Sequence, residues 1–214
     1  MTPRPDVPRA SDVDPRTEVI AAKTEIFRVY NRTWGPTGFN PTDSSARFRP
    51  VRNRKREIVP TAYAGLDDET AIAEVLLRGV SALAKGVRRR LYRKQLEDIS
   101  MATLTCGRDL RLVRMHGSGL TRLHLLRQHV IDCEESDYPY TAEWAQALYG
   151  WRKRAHGIIW TSHQNDSEKA LVLWEGRVDP GWLEVVGDPV SLDEGPGLDR
   201  VRRLCADFGI DLEA

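Results

Sequence analysis

The sequence predicts an α+β fold in which helices flank a mixed β-sheet. Strand-like and helix-like segments interleave along the chain, but the strands are short and some are adjacent, unlike the regular alternation of a doubly wound fold. The glycine patterns that hold phosphates in Rossmann and P-loop proteins do not occur in the sequence. With 214 residues, the chain is long enough to bury one core.

Composition and charge exclude several classes of protein. Lys and Arg total 32 against 31 for Asp and Glu, so the net charge of +1 gives no overall attraction to nucleic acid or membrane. No apolar run approaches the roughly 18 residues of a membrane span, and no secretory signal opens the chain. We therefore expect a cytoplasmic protein. Its cysteines form no CxxC pair and its histidines no HExxH motif, so we expect neither disulfides nor a metal site.

The N-terminal segment differs from the rest of the chain. Residues 1–16 contain four of the twelve prolines and few apolar residues. Such a composition predicts a disordered tail. Residues 17–214 are predicted to form a single domain.

Strands are predicted where β-branched, aromatic and other apolar residues cluster between turn-forming residues. Pro60 cannot donate to a sheet ladder, so it indicates either an edge strand or the start of a strand. The predicted strands cover residues 26–30, 58–64, 99–106, 110–115, 157–161, 170–174 and 182–186.

The clearest helix is predicted over residues 68–84. Asp67 is the expected N-cap, and Gly86 is expected to stop the helix. The apolar stripe at helical spacing consists of Ile72, Val75, Leu76, Val80 and Leu83. Glu74 lies opposite this stripe, so periodicity alone predicts that it faces solvent. Further helices are predicted from residue 140 or 141 to 151 and over 198–208.

Two basic runs and one polar pair invite functional interpretations. The runs 52–56 and 85–94 could bind phosphates, but a solvated surface is favoured because acidic residues balance the total charge. Ser162 and His163 suggest a hydrolase. However, neighbours in an extended segment point to opposite faces, so His163 is badly placed to deprotonate Ser162.

Seven short motifs, taken in order, resemble the RES domain, a family named for an Arg, a Glu and a Ser. The resemblance covers about residues 24–178. The motifs are Phe27-Arg28-Val29-Tyr30, Ser45-Ala46-Arg47-Phe48, the runs 59–64, 69–75 and 108–113, Tyr140-Thr141 to Trp144-Ala145, and the run 156–162.

The resemblance implies a function. RES-domain proteins are mostly bacterial toxins encoded beside an Xre-type antitoxin, and they break down NAD+ by phosphorolysis or hydrolysis of its nicotinamide glycosidic bond. Their fold is similar to that of ADP-ribosyltransferases. The expected substrates are thus NAD+ and inorganic phosphate, with no cofactor. The expected partner is an Xre-type antitoxin, through which alone nucleic acid would be contacted, and no membrane partner is expected.

The resemblance also implies site residues. The family's Arg, Tyr, Glu and Ser correspond to Arg47, Tyr63, Glu74 and Ser162, which are the expected catalytic residues. Arg28 matches a second arginine, and it would bind NAD+ together with Arg47, Tyr63 and Ser162. The two arginines would hold the pyrophosphate or an incoming phosphate.

Tyr63 would stack on nicotinamide or ribose. Glu74 would hydrogen-bond a ribose hydroxyl and stabilise positive charge at the anomeric carbon, while Ser162 would orient the nicotinamide ribose or amide. Many family members have Gly-Gly before the arginine and Trp-Asn after it, whereas this chain has Ser45-Ala46 and Phe48-Arg49-Pro50. Arg49 therefore stands as an alternative to Arg47.

Two other functions remain open from the sequence. An ADP-ribosyltransferase would use the same NAD+ pocket but pass ADP-ribose to a macromolecule. A non-enzymatic module would bind nucleic acid through the basic runs and leave NAD+ intact.

Overall fold

The computed structural model describes residues 3–78 and 89–214. The strands are β1 (Thr17–Ile20), β2 (Glu25–Asn31), β3 (Thr61–Gly65), β4 (Arg89–Tyr92), β5 (Ile99–Cys106), β6 (Leu110–Arg114), β7 (Gly157–Thr161), β8 (Lys169–Trp174), β9 (Leu183–Ser191) and β10 (Ile210–Glu213). The helices are α1 (Asp68–Leu76), α2 (Ser118–Arg122), α3 (Arg127–Val130), α4 (Tyr138–Trp151) and α5 (Gly195–Asp207).

Within the described residues, eight strands form one mixed sheet in the order β1-β6-β7-β8-β3-β2-β5-β9. The pair β6 and β7 is parallel, whereas the other neighbours are antiparallel. A second sheet consists of β4 and β10, which pair in parallel. This architecture confirms the predicted α+β class with a mixed sheet.

Helices cover one face of the large sheet. Strands β7 and β8 pack there against α4 through a cluster that includes Trp144 and Trp160. On the same face, β2 and β5 pack against α1 and α5. The opposite face carries a separate apolar cluster. Because successive strand residues point to opposite faces, Trp160 joins the α4 cluster whereas Ile159 joins the opposite one.

Strand β3 lies in the middle of the sheet, between β8 and β2. It begins directly after Pro60. Of the two interpretations of Pro60, the edge strand is therefore wrong and the start of a strand is confirmed.

Helix α1 follows β3 at very close range. The Asp67 side chain caps it by accepting a hydrogen bond from the Thr70 backbone N–H at 2.6 Å. A Cβ atom at Gly65 would lie 2.7 Å from the backbone nitrogen of Ala71, so a larger residue would push the helix off the strand. The helix ends at Leu76, before the predicted end at residue 84. The predicted positions Val80, Leu83 and Gly86 lie outside the described residues.

Replacing Asp67 with Ala should lower the free energy of unfolding by about 1 kcal/mol, because the Thr70 N–H loses its acceptor. Urea denaturation followed by circular dichroism measures this difference. Glu69→Ala is the matched control, since Glu69 is exposed on the same first turn and its change should cost only a few tenths of a kcal/mol. Equal losses in the two variants would contradict the capping role.

Residues 3–16, which composition predicts to be a disordered tail, make specific contacts in the structure. Arg4 pairs with Asp137 at 2.7 Å, and the carbonyl of Pro5 accepts a hydrogen bond from the Tyr140 hydroxyl at 2.6 Å. Val7 and Val13 pack on the α4 cluster. Proline restricts the conformations of the unfolded chain. This proline-rich segment therefore loses less conformational entropy on ordering, and a few apolar contacts are enough to offset that loss.

Within the described residues, no helix has the length and apolarity needed to cross a membrane. Cys106, Cys133 and Cys205 are buried free thiols.

Candidate active site

A cleft of about 250 Å³ opens beside β2, β3 and the C-terminal end of α1. This volume lies just below the roughly 300 to 1,000 Å³ that small-molecule sites usually measure. A much smaller cavity shares part of its wall and extends to Glu74. The polar and aromatic side chains lining the cleft belong to Arg28, Tyr30, Asn31, Trp34, Asn40, Ser44, Ser45, Arg49, Thr61, Tyr63 and Arg78.

Glu74 and Ser162 form a hydrogen-bonded pair. Glu74 lies on α1, and Ser162 directly follows β7. The Ser162 hydroxyl donates to Glu74 Oε1 at 2.6 Å, and the His163 backbone N–H donates to the same oxygen at 2.9 Å. Among the described residues, none forms a hydrogen bond with Oε2. The structure therefore brings together two of the residues that the family resemblance assigns.

The expectation that Glu74 faces solvent is wrong. The side chain is half-buried, because α1 is covered on more than one side. Ile72 and Leu76 enter the core, while Glu74 faces the segment that follows β7. A stripe of apolar residues shows only which side of a helix meets the main core, not what covers the rest.

The hydroxyl of Ser162 is fully engaged. It accepts hydrogen bonds from the backbone N–H groups of Gln164 and Asn165 at 3.1 and 2.9 Å, besides donating to Glu74. The imidazole of His163 contacts Asp132 at 3.1 Å. As predicted from the extended geometry, His163 is not placed to deprotonate Ser162, and the arrangement is not that of a serine hydrolase.

Tyr63 contributes its ring rather than its hydroxyl to the cleft. The hydroxyl donates to the backbone carbonyl of Arg47 at 2.6 Å. Burial raises the pKa of Tyr63 to about 12, so the phenol stays protonated at neutral pH. Its ring packs edge-on against Trp160, with centroids 6.3 Å apart.

Arg28 is almost completely buried, with 4% of its surface exposed. One guanidinium nitrogen donates to the Pro36 carbonyl at 3.0 Å, and the group lies 5.8 Å from the centre of the Tyr30 ring. Burial lowers the pKa of Arg28 to about 10, which still leaves it charged at neutral pH. This cation is held at the cleft wall at the expense of hydration, and an anionic ligand would compensate for that loss.

Arg47 does not reach the cleft, and Arg49 does. The Arg47 guanidinium donates to the Val130 carbonyl at 2.9 Å and also to the carbonyl of Ile131, neither of which lines the cleft. Arg49 lines the cleft, where its guanidinium donates to the Thr42 carbonyl. Burial lowers the pKa of Arg49. Of the two alternatives, the geometry thus favours Arg49 as the anion-binding arginine and gives Arg47 a structural position.

Arg78 is a cleft residue that the sequence analysis missed. Its guanidinium lies 5.8 Å from the centre of the Tyr63 ring and 5.9 Å from that of Tyr138. Arg78 lies two residues beyond the end of α1, in a turn, so helical spacing gave no signal for it.

The cleft is lined by three arginines, and none of the described residues that line it carries a carboxylate. Within residues 3–78 and 89–214, none of the three guanidiniums of Arg28, Arg49 and Arg78 forms a salt bridge. The same part of the chain contains no group of three His, Cys, Asp or Glu side chains that could hold a metal ion. The arrangement suits a multiply charged anion such as a pyrophosphate.

A second layer of contacts holds the segment after β7. Arg127 donates to the Ser162 carbonyl at 2.9 Å. The same side chain pairs with Asp132 at 2.9 Å and with Asp166 at 2.6 Å. Arg127 therefore fixes the backbone that carries Ser162 and, through it, the Glu74 carboxylate.

The sequence model of the RES domain matches residues 25–193. The chain belongs to the RES-domain family. The matched range runs from β2 through β9 and includes the cleft, the Glu74–Ser162 pair and Arg127. RES-domain membership is consistent with an NAD-related enzymatic role and with a toxin function at the level of the family. No curated protein matches the chain significantly.

Proposed function

We propose that this RES-domain protein degrades NAD+ by cleaving the bond between nicotinamide and ribose, with inorganic phosphate or water as the acceptor. The observation that carries the proposal is the cationic cleft, part of whose wall also borders Glu74, the hydrogen-bond partner of Ser162. NAD+ combines an anionic pyrophosphate with a glycosidic bond that breaks through a cationic state. The three arginines suit the first feature, and the carboxylate suits the second.

The proposed reaction needs only groups that the chain, NAD+ and the acceptor supply. The bond between the anomeric carbon and the pyridinium nitrogen breaks, and its electron pair goes to nitrogen, so nicotinamide leaves neutral. Positive charge develops on the ribose, where the Glu74 carboxylate stabilises it. Phosphate oxygen then bonds to the anomeric carbon and yields ADP-ribose-1″-phosphate. With water as the acceptor, ADP-ribose forms and one proton is released to solvent.

Each cleft residue has a distinct task in this proposal. Arg49, Arg28 and Arg78 hold the pyrophosphate or the incoming phosphate by charge-assisted hydrogen bonds. Tyr63 offers a ring for stacking and takes no part in proton transfer, because its pKa is raised to about 12. Ser162 orients the Glu74 carboxylate through their 2.6 Å hydrogen bond. Oε2 of Glu74 then faces a ribose hydroxyl.

The proposed biological role is that of a toxin of a bacterial toxin–antitoxin system, with an Xre-type antitoxin as its partner. Membership of the RES family supports this role. Expression of the chain alone should deplete cellular NAD+ and stop growth. Co-expression of the antitoxin encoded beside it should restore both.

The direct test incubates purified protein with NAD+, with and without inorganic phosphate, and follows nicotinamide and ADP-ribose products by chromatography and mass. Loss of NAD+ that requires phosphate indicates a phosphorylase, and loss that is equal with and without phosphate indicates a hydrolase. Label from NAD+ retained on a macromolecule would indicate an ADP-ribosyltransferase instead. Intact NAD+ in both buffers, with folded protein free of antitoxin, would refute the enzymatic proposal.

Arg127 is expected to act as a positioning residue. Arg127→Gln removes the contacts to Asp132 and Asp166 and loosens the segment that carries Ser162. We expect kcat to fall about tenfold while KM changes little, as for an interaction that matters in the transition state alone. Arg127→Lys should recover part of the loss, and Arg122→Gln, at an exposed arginine on neighbouring α2, should have no effect. A raised KM with unchanged kcat would mean that Arg127 binds substrate instead.

A further inference from the structure

Two basic segments, distant in sequence, meet at the C-terminal end of α4. A groove of about 570 Å³ is lined by Arg52, Arg54, Lys55 and Lys153. A neighbouring groove of about 560 Å³ is lined by Arg111, Arg152, Lys153 and Arg154. Lys153 borders both grooves, and their lining cations are together called the basic surface; the first groove also contains one carboxylate, that of Glu57. None of its residues lines the candidate active-site cleft.

The turn over residues 52–57, which carries the basic residues of the first groove, is ordered by hydrogen bonds. The Asn53 side chain accepts from the backbone N–H groups of Lys55 and Glu57 at 2.9 and 3.1 Å. Gln146 of α4 accepts from the Arg52 N–H at 2.7 Å and donates to the Arg52 carbonyl at 3.0 Å. The cations are thus held in place on α4, which reduces the entropy that a ligand would have to remove.

Most of these cations have no partner carboxylate. Arg52 pairs with Asp43 at 2.6 Å, and Arg152 pairs with Asp14 at 3.0 Å. In the part of the chain that the structure describes, the remaining five form no salt bridge: Arg54, Lys55, Arg111, Lys153 and Arg154. Since the whole chain carries a net charge of +1, the basic surface is a local concentration of positive charge.

The cations that follow α4 are not needed to satisfy the carbonyl groups at the C-terminal end of that helix. The half-buried Arg177 already donates to the carbonyls of Tyr149, Arg152 and Ala155 at 2.6 to 3.0 Å. These carbonyls lie at and just beyond the end of α4. Lys153 and Arg154 are exposed and are therefore free to meet an external anion.

We propose that the basic surface binds the phosphate backbone of duplex nucleic acid without sequence preference. An extended polyanion fits two adjoining grooves joined by Lys153 better than a compact phosphate, which would occupy one of them. Exposed lysine and arginine side chains gain affinity by releasing counterions from the duplex. The contact is made by this chain itself and is separate from the NAD+ cleft.

The test compares two triple variants that lose the same charge. The first, Arg54→Gln/Lys55→Gln/Lys153→Gln, removes cations from the basic surface, whereas the control, Lys94→Gln/Arg202→Gln/Arg203→Gln, removes exposed cations elsewhere. Fluorescence anisotropy with a labelled short duplex DNA measures affinity from about 50 to about 200 mM salt. We expect the first variant to bind about tenfold more weakly, and its salt slope to fall by about 0.9 for each DNA phosphate that the variant no longer neutralises.

The control variant should bind within twofold of the unaltered protein by this counterion-release mechanism, and cleavage of NAD+ should be unchanged in both. Because cleavage is measured separately, a failure of the NAD+ proposal cannot be mistaken for a failure of this one. Three results would overturn the inference: no binding by the unaltered protein at low salt, equal weakening in both variants, or displacement of DNA by a polyglutamate peptide of matched charge at a lower concentration than by unlabelled DNA.

Discussion

Replacing Glu74 with Gln should reduce NAD+ cleavage by about a hundredfold or more and leave the fold unchanged. The amide oxygen of Gln can still accept the hydrogen bonds that Ser162 and His163 donate to Oε1. In the proposed mechanism, the variant loses the negative charge beside the anomeric carbon, which would interact with the transition state more strongly than with neutral ribose. Nicotinamide release under saturating NAD+ and phosphate measures the effect.

The matched control is Glu69→Gln, on an exposed position of the same helix, which should keep full activity. Thermal unfolding of both variants establishes whether they fold as the unaltered chain does. Full activity of a folded Glu74→Gln protein would reject Glu74 as the electrostatic group. A large fall in its unfolding temperature would assign Glu74 a structural role instead.

Replacing Arg49 should reduce activity, whereas replacing Arg47 should reduce stability and spare activity. Arg49→Gln removes a cation from the cleft wall, and the loss of a hydrogen bond to a charged group costs about 1.5 to 3 kcal/mol. We therefore expect kcat/KM for NAD+ to fall roughly ten- to a hundredfold. Because Arg49 is 4% exposed and donates to the Thr42 carbonyl, the unfolding temperature also falls, so activity is measured well below it and expressed per folded protein. Steady-state kinetics over a range of NAD+ and phosphate concentrations also shows which of the two anions Arg49 holds.

Arg47→Met should act on stability instead. Arg47 is 3% exposed, and its loss leaves the carbonyls of Val130 and Ile131 without their donor. We expect the free energy of unfolding to fall by about 3 kcal/mol, which lowers the unfolding temperature by roughly 6 to 12 °C in a chain of this size. Protein that remains folded at low temperature should keep most of its activity. Loss of activity without loss of stability would restore Arg47 as the anion-binding arginine.

Local patterns predicted the parts of the fold that local forces determine. The apolar run 157–161 is strand β7 with the predicted bounds, because a segment buried on both faces needs no alternation to be recognised. Strand β5 also has its predicted bounds, 99–106. The Asp67 cap is confirmed because a short acidic side chain before an apolar stripe satisfies helix N–H groups within its own turn.

Elements that depend on distant partners were missed. Strand β1 is four residues long, and its pairing partner β6 lies more than ninety positions along the chain. Strand β4 lies within the basic run 85–94, whose charges predict a solvated surface, yet it pairs with β10 near the other end of the chain. The residues of β1 and β4 by themselves do not indicate that β6 and β10 pair with them.

In the candidate site, too, some features could be predicted from the sequence, whereas others depend on distant contacts. The resemblance assigned Glu74 and Ser162, and the structure brings them within a hydrogen bond. The direction of the Arg47 side chain depends on carbonyls 83 and 84 residues away, so its neighbours in sequence could not indicate it. Arg78 meets the cleft only because the end of α1 packs beside Tyr63 and Tyr138, which helical periodicity does not reveal.

The order of strands in the large sheet also controls when the candidate site can assemble during synthesis. Strand β3, which leads into α1 and Glu74, pairs with β8, so that Ala64 lies opposite Leu171. Ser162 reaches Glu74 only after β7 and β8 have emerged and paired, and such long-range pairings form slowly. A nascent chain that ends before β8 therefore holds Glu74 without its partner. The Glu74–Ser162 pair of this RES domain thus cannot assemble on the ribosome until most of the domain has been made.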